Sequence, residues 1–323
     1  MPDCIQFAYA LARDDTTSLE SSDEIAAALA APEPCWVHMR FDHPETEPWI
    51  DANLAYLPET ARDALLENQT RPRASVIGDG LLVILRGVNT NPGDEPEDMV
   101  AIRLWVEAGR VVSIGRRPLA SVEELAARVA AGDGPRRAGA LLAALIEGLN
   151  RRIDDYLADL DDQGDVLEER VLREPDRPLR NSVTDIRGEL VDVRRFLIPQ
   201  REAAHTLSRA RAAVLQEDDA DRLAESHERL VRAVEETESL RERMVVVSDE
   251  LNTALSDRLN RNLYLLSMIS AIFLPLGVLT GLMGVNLAGM PGAAWPPAFW
   301  VFTGLLGAIV VVQVLVLRAL RWV

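Results

Sequence analysis

Lysine is absent from the 323 residues, cysteine occurs only twice, histidine four times, and no acidic residue follows Asp257. Each scarcity excludes something. Cys4 and Cys35 are too few for a disulfide framework, as a reducing compartment allows. The opening MPDCIQFAYALARDD has neither a basic leader nor a long apolar run, so a signal peptide is not expected and the body of the chain should stay in the cytosol. There is no phosphate-binding glycine loop, no GxSxG and no HExxH, so an enzyme is not expected. Cys35 and His38 lack partners at zinc-site spacing and read as neighbours on a strand, while His43, His205 and His227 read as surface or packing residues. The formal net charge of −17 argues against binding to nucleic acid or anionic lipid by charge. It would concentrate cations near the body, although solubility explains the acidity equally well.

Against that acidic background, Leu263 to Val285 contains no charged residue. A helix of this length measures roughly 35 Å, enough to cross a bilayer core. Counting from Asn260 just before it, Asn260, Leu263, Ser267, Ser270, Leu274, Gly277, Gly281 and Gly284 step by three and four, which puts them on one helix face. A stripe of Ser, Gly and Asn is wasted on lipid, so it should face protein or water. It either packs another helix or lines a pore. A second apolar run follows at 298–317, with Arg258 and Arg261 before the first span and Arg318 and Arg321 after the second. The positive-inside rule then places both termini in the cytoplasm and the 287–297 loop outside, with Trp295, Trp300 and Trp322 at the interfaces.

The first span ends in Gly284-Val285-Asn286, followed by LAGMPGAAWPPAFW, the second span and a basic tail. Together with Pro275 in the first span, this wording resembles the CorA-type divalent metal ion transporter family, and GVNLAGMPG resembles its zinc-transporter (ZntB-like) branch. RRFLIPQRE, from Arg194 to Glu202, is also a wording of that branch. Magnesium-type members carry Gly-Met-Asn and commonly an acidic residue in the loop, whereas Val285 stands in the middle here and the loop is uncharged.

The resemblance implies a CorA-like homopentameric funnel in a bacterial inner membrane. The first span would line the pore through Asn260, Leu263, Ser267, Ser270, Leu274, Gly277 and Gly281, and Gly284, Val285 and Asn286 would form the selectivity filter. Asn286 would hold a divalent cation through its hydration shell. Zn2+ as cargo, Cd2+ and Ni2+ beside it, and coupling to protons rest on the resemblance, because the membrane part has no His or Cys to cage zinc and the first span has no ionisable carrier. No cofactor is implied beyond the transported ion. Met268, Met283 and Met290 read as packing residues, and Asp249 and Asp257 as stalk carboxylates near the first span.

Upstream, residues 1–135 read as a mixed α/β domain, with strands near 5–10, 35–41, 74–77, 81–88, 99–106 and 110–114 and helices near 23–31, 46–54, 59–68 and 121–131. Gly78-Asp79-Gly80 should join two strands, and Ala108-Gly109 should close a hairpin. A helical hairpin follows at 136–216, broken at Pro175 and Pro178 and possessing a Pro199 able to kink its second arm near the end. A stalk at 217–261 then runs without a breaker into the membrane domain, 262–323, whose spans cover about 262–285 and 298–317. Leu240, Met244, Val247, Leu251, Leu255 and Leu259 give the stalk an apolar stripe, suited to the hairpin, to another copy or to both. The fold class is therefore an α+β domain, long helices and two C-terminal transmembrane helices. Two readings compete with zinc transport: a Mg2+/Co2+ channel of the CorA type, and a membrane-tethered scaffold or sensor that conducts nothing.

Overall fold

In the computed structural model, which describes residues 2–11, 16–68, 70–285, 292 and 295–319, the chain divides into two units, 1–249 and 250–323, with the division inside one helix. The first unit is built on a seven-stranded sheet. Its strands are β1 (Ile5–Leu11), β2 (Thr16–Ser18), β3 (Cys35–Arg40), β4 (Arg73–Ile77), β5 (Gly80–Gly87), β6 (Val100–Glu107) and β7 (Arg110–Gly115), in the spatial order β2-β1-β3-β7-β6-β5-β4. Only β3 and β7 run parallel; the other neighbours pair antiparallel.

The central strands are apolar throughout because both faces of the sheet are covered. On β5, Leu81, Val83 and Leu85 join one core while Leu82 and Ile84 join the other, as the two-residue repeat of a strand requires. The Leu82 face packs under α1 (Ser22–Ala30), α2 (Thr46–Asn53) and α3 (Glu59–Leu66), through Ile25, Ile50 and Leu65. The Leu81 face packs under α4 (Ala120–Ala130) and α5 (Ala138–Arg173), through Val122, Leu125, Leu141, Leu145 and Leu149. Both expected hairpins are present: Ile77 pairs with Gly80 and Glu107 with Arg110, each across a two-residue turn, and Gly78 adopts φ +58° in the first. Gly80 also has a packing reason, since a Cβ there would stand 2.4 Å from the Trp105 ring.

Helix α6 (Leu179–Ser208) is continuous through Pro199 and ends short of 216, the expected close of the hairpin. Ala212 and Val214 instead enter the sheet core, and the chain turns into α7 (Glu217–Met283). That turn is fixed by Asp219, which is fully buried, accepts two bonds from Arg137 at 2.7 and 3.1 Å, and accepts the backbone N–H of Gln216 at 3.0 Å. Within the first unit, Leu240 and Met244 of α7 close over Gly164 of α5, where an added Cβ would meet their side chains at 3.0 and 3.3 Å. Arg243 ties the same place to Asp161 and Asp165 at 2.8 and 2.7 Å. Val247 and Leu251 of the stalk stripe are buried, Leu255 is half-buried and Leu259 is exposed.

The second unit holds the C-terminal part of α7 and α8 (Ala298–Ala319). Both helices are long and apolar enough to cross a membrane. Their large apolar residues, among them Leu266, Phe273, Leu274, Trp300 and Val312, are exposed, the reverse of a soluble core helix.

Candidate functional site

The first span forms a helix as far as Met283 despite Pro275, and the N–H of Gly284 still bonds the Thr280 carbonyl at 3.0 Å. Asn260, Leu263, Ser267, Ser270, Leu274, Gly277, Gly281, Gly284 and Val285 are all exposed. Asn286 lies outside the described residues, as do most of the following loop, Met290, Arg321 and Trp322.

Another face of this helix is partly covered, by Met268, Ile272, Leu276 and Leu279, all half-buried. At about 100° per residue these four centre roughly 180° from the Ser/Gly stripe. The covering element is α8, whose Phe302, Leu306, Ile309 and Gln313 form a matching half-buried row, and Gln313 Nε2 donates to the Ala271 carbonyl at 3.3 Å. Nothing stands within 4 Å of a Cβ added at Gly277 or Gly281. Within one chain, then, the second span lies behind the first, and the stripe of small and polar residues is left open on the other side. Thr280 at its margin spends its hydroxyl on the Leu276 and Gly277 carbonyls, which removes a donor from the apolar surroundings.

A second group of interest lies in the sheet unit. Cys4, His43 and Glu45 each place one candidate ligand atom within 4.8 Å of the others. Strand pairing assembles them: Arg40 donates its N–H to the Cys4 carbonyl, Ile5 stands opposite Met39, and the turn from β3 into α2 then brings back His43 and Glu45. Glu45 N–H donates to His43 Nδ1 at 3.3 Å, so this nitrogen carries the lone pair in the neutral ring. Burial raises the Cys4 thiol above its ordinary pKa, and the Glu45 and Asp3 carboxylates add to the rise. A dication would reverse that bias by favouring the thiolate. A tetrahedral zinc site has ligand–ligand edges of about 3.5 Å, so closure by about 1 Å would suffice. In the sequence Cys4 attracts no assignment and His43 reads as a surface or packing residue, because the two are dozens of positions apart along the chain.

The other histidines fall as expected. His38 is buried in β3, bonded through Nδ1 to Ser113 Oγ at 2.8 Å and stacked on Phe7; burial lowers its pKa to about 4. The rings of His205 and His227 pack with centroids 5.1 Å apart. Asp249 and Asp257 are exposed on α7.

Residues 32–319 match the family described as CorA-like Mg2+ transporter protein. The chain is 40% identical over 296 residues to the divalent cation transporter CmaX of Pseudomonas aeruginosa, covering 91% of this chain and 89% of that one. It is 34% identical over 271 residues to the zinc transport protein ZntB of Yersinia enterocolitica serotype O:8, covering 82% and 81% respectively. Its fold superposes on the structure of full-length CmaX with a TM-score of 0.84 at 37% identity, covering 99% of this chain and 98% of that one. These likenesses extend through the sheet unit and both apolar helices, and they select transport over the tethered scaffold. The chain belongs to the CorA-like Mg2+ transporter family and is a divalent cation transporter.

Proposed function

We propose that the protein carries hydrated Zn2+ across a bacterial inner membrane, through a homopentameric pore lined by the first span and filtered at Gly284, Val285 and Asn286. The observation that carries this reading is the open face of the first span. Two helices cannot enclose a water-filled path, so conduction needs several copies, and the residues that could border water, Asn260, Ser267, Ser270, Gly277 and Gly281, sit opposite the face covered by α8. In a ring of copies that face can turn inward while α8 meets lipid. Glycines there leave room for an ion that keeps its water shell. Arg258 and Arg318 flank the two spans on the same side of the membrane, which supports cytoplasmic termini.

Zinc as the cargo is supported by the relatives named ZntB and by the nitrogen, sulfur and oxygen donors of His43, Cys4 and Glu45, a set suited to zinc and poorly suited to magnesium. The magnesium reading keeps one specific support, the description of the matched family. Flux into proteoliposomes holding the purified chain decides between them, with Zn2+, Ni2+ or Mg2+ outside, a pH gradient on or off, and Asn286→Leu as control. Zinc flux lost in the variant is expected. Magnesium preference would move the protein to the other branch, and indifference to the gradient would remove proton coupling. No flux of any of the three from an assembled oligomer would defeat the pore.

A further inference from the structure

A second feature of the sheet unit runs against the overall charge. In a chain of net charge −17, Arg86, Arg103, Arg116, Arg117 and Arg195 line one open cavity of about 300 Å³, with Asp98 on the same wall. Arg86 and Arg103 stand on β5 and β6, on the sheet face of Leu82 and Ile84. Arg116 and Arg117 follow β7, and Arg195 lies on α6. Asp42 pairs with Arg116 at 2.9 Å and Asp94 with Arg117 at 3.0 Å. Among the described residues Arg86, Arg103 and Arg195 make no ion pair.

Arg103 is the most telling of these. It is 2% exposed in the middle of a central strand, and its Nη2 donates to the Glu67 carbonyl at 2.7 Å. Its Nε and Nη1, like Nε of Arg86, have no partner among the described residues. A buried guanidinium with two idle donors is costly unless something accepts from them. The neighbouring cations make it worse: after burial, Arg116 and Arg86 are the largest causes that lower the Arg103 pKa, to about 10. The residues that hold the cluster are themselves built in. Arg86 lies 4.1 Å and Arg195 4.6 Å over the Phe196 ring, and Arg103 and Arg116 both lie over Phe41. Gln200 clamps the main chain of Arg86 with bonds of 2.7 and 3.0 Å in both directions. Phe196 and Gln200 belong to the RRFLIPQRE segment, which the transport path does not use.

We infer that this cavity binds a small soluble phosphate-bearing anion, held by the Arg86, Arg103 and Arg195 guanidiniums that line it and make no ion pair among the described residues. Planar guanidinium forks match phosphate oxygens in pairs, and the cavity is large enough for inorganic phosphate up to a nucleoside monophosphate. The site is separate from the ion path and stands whether or not the cargo is zinc.

Calorimetric titration of the detergent-solubilised full-length oligomer, free of divalent metal and at low salt, tests it with inorganic phosphate, pyrophosphate and AMP as probes. At least one probe should bind saturably, with affinity falling at least tenfold in Arg103→Gln and in the more exposed Arg195→Ala, and falling again as salt is raised. Arg195→Ala leaves the strand untouched, so it remains informative if Arg103→Gln does not fold. Three results would overturn the inference: no saturable binding of any probe up to about 20 mM, affinity unchanged in Arg195→Ala, or an oligomer that dissociates in Arg195→Glu while no probe binds the parent. The last would assign the cavity to a carboxylate of a neighbouring copy.

Discussion

Replacing Gly277 and Gly281 together by Leu separates a pore from a packing stripe, because stability and flux should move in opposite directions. A Cβ added at either position meets no atom within 4 Å and both positions are exposed in the protomer, so the larger side chain has open space to enter there. Leu exceeds Gly in helix propensity by about 0.8 kcal/mol per position, and at the centre of a span it favours insertion by about 0.5 kcal/mol. The first span should therefore gain about 2.6 kcal/mol over the pair. In a ring of copies the same change sets two successive rings of isobutyl groups, about 6 Å apart, against the path. A loss of zinc flux of at least tenfold, or about 1.4 kcal/mol on the barrier, is expected alongside an unchanged or raised melting temperature. Gly304→Leu on α8 is the matched control, since Gly304 also has nothing within 4 Å and lies on the helix assigned away from the pore; its flux should stay near that of the parent. Flux in the double variant within twofold of the parent would refute the reasoning. So would equal losses in Gly304→Leu, which would point to helix packing rather than an ion path.

Two further outcomes concern the sheet unit. Cys4→Ser in the full-length protein should lower zinc binding by one equivalent per chain in equilibrium dialysis while leaving magnesium binding unchanged; an unchanged zinc stoichiometry would remove Cys4, His43 and Glu45 from consideration as a site. His38 is held neutral with a pKa of about 4, against about 6.5 unfolded, so the unfolded chain binds the extra proton first. The stability it contributes is present above pH 6.5 and is lost as pH falls towards 4, by about 3 kcal/mol in all; urea melts of the parent and of His38→Gln at pH 7 and pH 4.5 should show a smaller acid loss in the variant.

The parts of this fold that the sequence announces are those with a local cause. The Gly78-Asp79 and Ala108-Gly109 turns and the apolar runs of β5 and β6 mark the central sheet to within a residue or two, and the uncharged run after Asn262 marks the first span. Thr16–Ser18, a three-residue edge strand with no apolar alternation, carries no such mark and is held by its pairing with β1 and its contact with α4, both tertiary facts. The early end of α6 is equally silent. No Gly or Pro stops it, and the helix gives way because Ala212 and Val214 fill the sheet core and Asp219 fixes the turn into α7. The stripe of small and polar residues is legible as a periodicity, but which side of the helix α8 covers is a tertiary fact. Arg103 is harder still. In VAIRLWVE a single Arg looks like an exposed position on an edge, and only the packing of Phe41 and Glu67 around it reveals a buried charge.

On the proposed reading, the placement of donor chemistry along the chain bears on how the protein both passes and discriminates a transition metal. From Asn262 onward there is no His, Cys, Asp or Glu, so an ion in the membrane meets only hydroxyls, amides, main-chain carbonyls and thioethers. Hard oxygen groups of this kind bind a hydrated dication weakly and release it readily, which suits passage but separates zinc from magnesium poorly. Ligands able to tell them apart, a thiol and an imidazole with a carboxylate beside them, lie together in the sheet unit. On the proposed reading the two demands are met in different places: throughput by the stripe on the first span, and recognition of the metal by Cys4, His43 and Glu45. Selectivity measured as flux should then respond to Cys4→Ser through the concentration of zinc at which transport changes, rather than through the maximal rate. A change confined to the maximal rate would place discrimination in the membrane after all.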